Sequence, residues 1–373
     1  MNERKKSGGI STGTATETKA PHHIGEELSL SKPHFKNIDK QIKILKQRGL
    51  TFDDEKKAKK YLLSNNYYNI INGYSKYFQK SPDSDEYRKN AQFDEVCNLY
   101  FFDKEIKQLL LNAILTAEHH LKSILAYRFA EKYPDKRYAY LDINCYDSKQ
   151  TLCVIKTISK ITKIINTHVA IGKKHRGKVK NDIKNRKEKD IKVGNNSIFY
   201  YVEKYDDVPI WVIVDYLNLG DLYYIIYCLP TNLQNKIAFD LCGFISENIP
   251  DFNKPFQPEK MLSFIRNIKE TRNICAHNNR LLDFYCNASS KYFKPLHSKY
   301  EKGCNINRKS VYSTFLSLQC FLSQTEYNIL HNSIRKRTRN LKNKLTSITI
   351  DEIMQLLGFP DNWYEGKKLE QKH

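Results

Sequence analysis

The chain has 373 residues, 40% of them hydrophobic, and carries 62 Lys and Arg against 41 Asp and Glu for a formal net charge of +21. The apolar fraction suits one large or two modest folded domains and excludes a wholly disordered polymer. The charge points to a polyanionic partner, because neutralising phosphates releases counterions, although about half of the lysine excess is ascribed to a coding bias toward Lys, Asn, Ile and Tyr.

Nine cysteines, an odd number, occur without a C-x-x-C pair. That pattern argues against a disulfide framework or a zinc ribbon and points to reduced thiols in a cytoplasm. Residues 1–30 begin MNERKKSGGISTGTATETKAPHH, which lacks the apolar core of a signal peptide and is expected to be disordered. An N-terminal helical region follows over residues 31–92. In QIKILKQRGL, Ile42 and Leu45 mark a short helix that ends at a glycine cap, Gly49. A second helix is expected from about Asp54, whose side chain can cap it, through YLLSNNYYNI to Gly73.

The strongest periodicity spans residues 99–131, where Phe102, Ile106, Leu110, Ala113, Ala117, Leu121 and Leu125 recur at helical spacing. Glu118 falls on or beside this apolar face, where a carboxylate wants a basic partner unless it reaches solvent at the edge. From Lys156 to Lys192 the chain turns polar and basic and reads as an exposed insertion between helices, assigned to residues 168–197. Its segment 173–192 holds ten Lys or Arg, including Lys173, Lys174, Arg176, Lys178 and Lys180, as a nucleic-acid arm or a solvated loop. The apolar run 209–230 is broken by Asp215, Gly220 and Asp221, so it reads as a buried helix pair and not a membrane span. A further helix is expected over 259–284, and the basic cluster RKRTRNLKNK (335–344), with Arg335 and Arg337, is expected to start a helix in a C-terminal helical region, 291–373. Period-2 alternation is almost absent, and the fold class is all-α.

The segment RNICAHNNR (272–280) carries the most suggestive chemistry. An imidazole, His277, can exchange a proton near neutral pH, and a guanidinium, Arg272, can hold a phosphate in a fixed fork. Asn273, His277 and Arg280 would form one polar stripe of a continuous helix, yet Arg272 and His277 would lie roughly 140° apart on it. The two converge only if the helix is bulged or capped there, or if a second copy supplies the missing partner across a two-fold axis. Taken in isolation, the pair is better read as a satisfied polar knot that holds helices together. A metal site from Glu118, His119 and His120 is disfavoured, since adjacent helical histidines diverge by about 100° and no further cluster completes a ligand set.

The chain resembles the Abi-like abortive-infection family, of the AbiD and AbiF type, whose core belongs to the HEPN superfamily of helical nucleases. The matching elements occur in order: Lys32, Pro33, Gln41, Leu45, Arg48, Gly49 and Leu50; then Asn66, Tyr67, Tyr68, Gly73 and Tyr74. Leu99, Tyr100, Phe102 and Asp103 follow, then Pro209, Ile210, Trp211, Gly220 and Leu222. The last elements are Arg272, Asn273, Cys275, Ala276, His277, Arg280 and Leu281, and finally Gly358, Phe359, Pro360 and Trp363. Lys104 and Lys122 stand where the family commonly has Arg, and Asn278 replaces a frequent second histidine. Lysine keeps the charge but not the bidentate fork.

The resemblance implies a HEPN-type bundle over residues 93–290 and metal-independent RNA cleavage, with no cofactor. In that reading His277 is general base or acid, Arg272 stabilises the phosphorane, Asn273 orients either group, and Glu118 fixes Arg272 or His277. Arg280, the basic residues of the insertion, Arg335 and Arg337 are the expected RNA contacts. The expected partners are RNA, including a structured noncoding regulatory RNA, and a second copy of the chain, without membrane. The alternative is a non-catalytic RNA-binding defence component in which the Arg-His pair is structural.

Overall fold

The structure, a computed structural model, describes residues 35–183, 196–250, 252–298 and 306–370. The expected disordered N-terminus and the stretch 184–195 of the basic insertion lie outside the described residues. Thirteen helices follow one another among the described residues, with short 3-10 turns between them and no strand. They are α1 (Ile38–Gln47), α2 (Glu55–Asn65), α3 (Phe93–Lys132), α4 (Thr151–Ile183), α5 (Ser197–Tyr205), α6 (Ile210–Ile213) and α7 (Leu219–Cys228). The second half adds α8 (Thr231–Asn248), α9 (Pro258–Ala276), α10 (Lys294–His297), α11 (Val311–Ser317), α12 (Gln324–Lys342) and α13 (Ile350–Leu356). The all-α expectation holds.

The axis of the molecule is α3, 40 residues and so about 60 Å long at 1.5 Å per residue. Its apolar positions, among them Phe102, Ile106, Leu110, Ile114, Leu121 and Leu125, are buried. Against them pack α12, α9, α6 and α8. The N-terminus of α3 is closed by a capping box between Gln92 and Glu95. Glu95, 1% exposed, also accepts from the amides of Thr346 and Ser347, which ties the loop before α13 to this end. Phe321 O near His120, and the Phe256–Phe321 ring contact, place the start of α9 midway along α3. Asp103 and Lys107 meet the chain just beyond the end of α9, so the two helices run antiparallel.

Several expected elements hold and others need correction. At the end of α1 the amide of Gly49, at φ +94°, bonds to Lys46 O and that of Leu50 to Leu45 O, the two bonds of a glycine C-cap. Asp54 accepts from the amide of Lys57 and caps α2, as expected. However, α2 stops at Asn65, because Asn66 takes a left-handed φ of +62°, and one π turn at Tyr68–Asn72 carries the chain toward Gly73. The basic stretch from Lys156 is helical in its first part: α4 continues through Ile183 and, ahead of the assigned insertion 168–197, buries Ile161 and Ile165 against α5 and α7, while Lys173 and Lys174 within it are exposed. Lysines flanking each isoleucine mask that seam in the sequence. Residues 335–342 end α12 rather than start a helix, since its N-cap is Ser323 in a capping box with Glu326. The run 209–230 does form a helix pair, α6 and α7, and no described helix is long and apolar enough to cross a membrane.

Candidate active site

The helix expected over 259–284 ends at Ala276, with Pro258 in its first turn. His277 is its C-cap residue, at φ −89° and ψ 9°. Asn278 follows in the left-handed region at φ +54°. Two bonds close the end: Asn278 N donates to Cys275 O at 3.4 Å and Asn279 N to Ile274 O at 3.1 Å. These are the two bonds of a Schellman cap, with asparagine in the position that glycine usually fills. The polar stripe of Asn273, His277 and Arg280 therefore does not exist, because Arg280 lies beyond the helix. Leu282, seven residues after Cys275, mimics another helical turn in the sequence.

Beneath the cap lies a buried ion pair on α3. Asp103, whose side chain is 0% exposed, and Lys107, 4% exposed, sit one turn apart with Nζ 3.1 Å from Oδ2. Lys107 donates to Asn278 Oδ1 at 2.9 Å and to Asn279 O at 3.1 Å, so its charge covers the C-terminal end of α9, where a cation is favoured. Asp103 accepts from the amides of Leu281 and Leu282, each at 3.1 Å, and from the Tyr74 hydroxyl at 2.7 Å. Arg280 donates to Gly73 O at 2.7 Å, while its guanidinium lies 5.9 Å from the Tyr77 ring. Tyr77 and Lys76 in turn bond to Asp283 at 2.7 and 2.6 Å. Burial alone would raise the Asp283 carboxyl, but the hydrogen bonds from Lys76 and Tyr77 and the nearby charges outweigh it and hold the group below its usual range. Three stretches remote in sequence thus meet in one polar cluster that fixes the turn after His277.

The expected catalytic groups sit at the surface edge of this cluster. Arg272 is half-buried, and Asn273 and His277 are exposed. Arg272 Nη1 reaches Asn273 Oδ1 at 3.5 Å, while its Nε is buried without an acceptor. Among the described residues no carboxylate pairs with Arg272, and no hydrogen bond joins it to His277. Next to it, Cys275 is buried, and burial pushes its thiol up to about 12, so it is no nucleophile near neutral pH.

Glu118 is placed differently from the expectation. It is buried on α3, with Oε1 3.1 Å from Lys122 Nζ and Oε2 without a hydrogen-bond partner. It stands eleven residues beyond Lys107, roughly 16 Å along the helix, and no bond links it to Arg272 or His277. Lys122, one turn further on α3, is thus the partner that this carboxylate has. His120 is turned away, with Nδ1 2.8 Å from Phe321 O and its ring stacked on Phe244. Among the described residues no group of three or more His, Cys, Asp or Glu side chains is placed to hold a metal ion.

Of the expected RNA contacts, Lys173 and Lys174 are exposed on α4, whereas the side chains of Arg176, Lys178 and Lys180 lie outside what the structure describes. Arg280 is committed to the polar cluster. Arg337 is paired with Glu105 at 3.2 Å, and Arg335 faces a groove on another side of α12. Sequence reasoning missed Lys107 altogether. It noted Tyr74 and Asp103 only as matching positions, although Asp103 is the hub of the cluster.

Residues 60–283, which include the polar cluster and the Arg272–His277 segment, match the family described as Abi-like protein. The chain belongs to the Abi-like family. Comparison with curated proteins and with solved structures gives no match. Membership of the Abi-like family points to abortive-infection defence, and the matched region covers α3, α9 and the turns that Asp103 ties together.

Proposed function

We propose that this Abi-like protein is a metal-independent endoribonuclease of HEPN type acting in abortive-infection defence. The observation that carries the reading is the state of Arg272: a half-buried guanidinium with no carboxylate partner among the described residues and a buried, unused Nε, five residues before an exposed histidine on a capped turn. A cation so held is available to an incoming phosphate and is pre-positioned for it.

In this reading His277 removes the proton from a ribose 2′-hydroxyl. The freed oxygen attacks the adjacent phosphorus, the bond from phosphorus to the 5′-oxygen breaks, and that oxygen leaves with the proton that the imidazolium of His277 gives back. The products are a 2′,3′-cyclic phosphate and a 5′-hydroxyl. Arg272 neutralises the charge that builds on the phosphorane, and Asn273, within reach of Arg272, orients the guanidinium. Glu118, paired with Lys122 and bonded to neither Arg272 nor His277, is given no part in this step. Because the side chains of Arg272 and His277 do not meet within one protomer, two copies of the chain would face each other and share their motifs. A structured noncoding RNA is proposed as the regulatory partner, held by shape and phosphate contacts.

The second reading, a non-catalytic RNA-binding defence component, is favoured by the fate of Arg280. That arginine of the same motif is structural, bonded to Gly73 O and Leu282 O. Arg272 and His277 make no such side-chain bond to another element, which is why cleavage is preferred. Purified wild type and His277→Ala incubated with total RNA in EDTA separate the two. Cleavage by the wild type, reduced about 100-fold or more in the variant, supports the nuclease. Intact RNA bound tightly by both would overturn it.

A further inference from the structure

One face of α12 forms, with the chain's last described residues, a basic groove that the proposed chemistry does not use. Its volume is about 420 Å³, and Asn332, Arg335, Lys336, Arg339 and Lys368 are among its lining residues. On α12 the first four fall within an arc of about 100°, whereas Arg337 points outside it. No carboxylate lines the groove among the described residues. Of the acids near it in the chain, Glu365 is paired with Lys342 at 3.1 Å, and Glu370 is exposed beyond the lining.

The far wall is built by side-chain clamps. Asn332 donates to Leu369 O at 2.8 Å and accepts from Leu369 N at 3.0 Å, as a neighbouring strand would. Asn328 donates to Glu370 O at 2.6 Å. Arg339 Nε holds Tyr364 O at 3.0 Å, and among the described residues no acceptor takes its terminal nitrogens. These bonds fasten the extended segment along α12 and bring Lys368 over the helix cations. Arg335 Nε is buried there without an acceptor. Burial first, and the charge of Arg339 second, lower the Arg335 pKa.

We infer that this groove binds a sugar-phosphate backbone, and that it is the site where RNA is held on the protein. A concave row of cations with an unsatisfied guanidinium donor fits a linear run of phosphates, whereas a flat anionic surface could not reach Arg335 Nε. Ile329, apolar and 48% exposed, also lines the groove and can rest against a sugar or base. On α3, Glu105 meets Arg337 while Asp103 and Lys107 meet the turn after His277, so the groove's helix and the motif stand at the same end of α3 on opposite flanks. The inference rests on RNA being the partner, and not on cleavage.

The test uses the full chain carrying His277→Ala, so that RNA stays intact, with a labelled RNA hairpin titrated in EDTA from 50 to 200 mM salt. Arg335→Gln with Lys336→Gln should weaken binding and flatten the slope of log affinity against log salt by about one per cation removed. Lys59→Gln, on α2 and paired with Asp39, should leave that slope unchanged. Lys368→Gln, on the segment rather than the helix, should flatten it by about one and serves if the double variant fails to fold. Unchanged affinity and slope in folded Arg335→Gln/Lys336→Gln and Lys368→Gln would overturn the inference. So would loss of binding to phosphatidylglycerol vesicles with RNA binding intact. RNA held in this groove by a chain that never cleaves would sink the nuclease reading alone.

Discussion

At Asp103 four donors converge on a single carboxylate that has no contact with water: the Tyr74 hydroxyl, the Lys107 ammonium and two backbone amides. Removing one side of such a pair strands the other charge in the interior, so Asp103→Ala should cost about 3–5 kcal/mol in urea unfolding. Tyr74→Phe, which removes one bond to that charge, should cost about 1.5–3 kcal/mol in the same experiment. Unchanged stability in both would mean that the cluster does not support the turn. Asn278 presents a related case. Its φ of +54° is strained for most residues but tolerated by asparagine, and histidine too is enriched in that region. Asparagine thus meets the backbone demand here and its side chain also accepts from Lys107. Asn278→Val should destabilise the protein by about 1–3 kcal/mol and lower any RNA cleavage with it.

Among the elements, α9 and α4 show what the sequence reveals and what it hides. Arg272, Asn273 and His277 are legible because they share one short motif, whereas Asp103 and Leu281 stand 178 positions apart and meet only in the fold. The end of α9 was legible in Asn278 and Asn279, yet Leu281 and Leu282 prolong the apolar rhythm past it. The glycine cap of α1 is local and reads correctly; the buried seam of α4 is diluted by lysines and does not. Within α4, Gly172 allows Phe199 of α5 to approach so closely that an added Cβ would lie 2.1 Å from the ring. Gly172→Ala should therefore separate α4 from α5 and lower the thermal midpoint by several degrees, a shift of about 1–3 kcal/mol. The Asp283 clamp adds a pH signature. Its carboxyl is held below the ordinary value, so its contribution is fully present above about pH 4 and is lost as pH falls through the folded pKa. Urea midpoints at pH 7 and pH 3 should differ less in Asp283→Asn than in wild type; an equal difference would show that the clamp carries no linkage.

Across the molecule one apolar core runs from Ile42 to Tyr364, so the N-terminal and C-terminal helical regions close around α3 rather than stand apart from it. The charge excess is uneven in its use: many surface cations are paired, as Arg128 is with Asp240, while Arg272 and the α12 groove keep theirs open. That division supports an RNA partner more than the net charge alone could. If two copies share their motifs, mixing Arg272→Ala with His277→Ala chains should restore part of the activity that each lacks, and no recovery would make the site a one-chain site. The measurement that bears most directly on the central claim is the chemistry of the cut ends. RNA cleaved by the wild type in EDTA should carry a 2′,3′-cyclic phosphate and a 5′-hydroxyl, with no such ends from His277→Ala. Ends with a 3′-hydroxyl and a 5′-phosphate, or the same ends formed undiminished by His277→Ala, would contradict it.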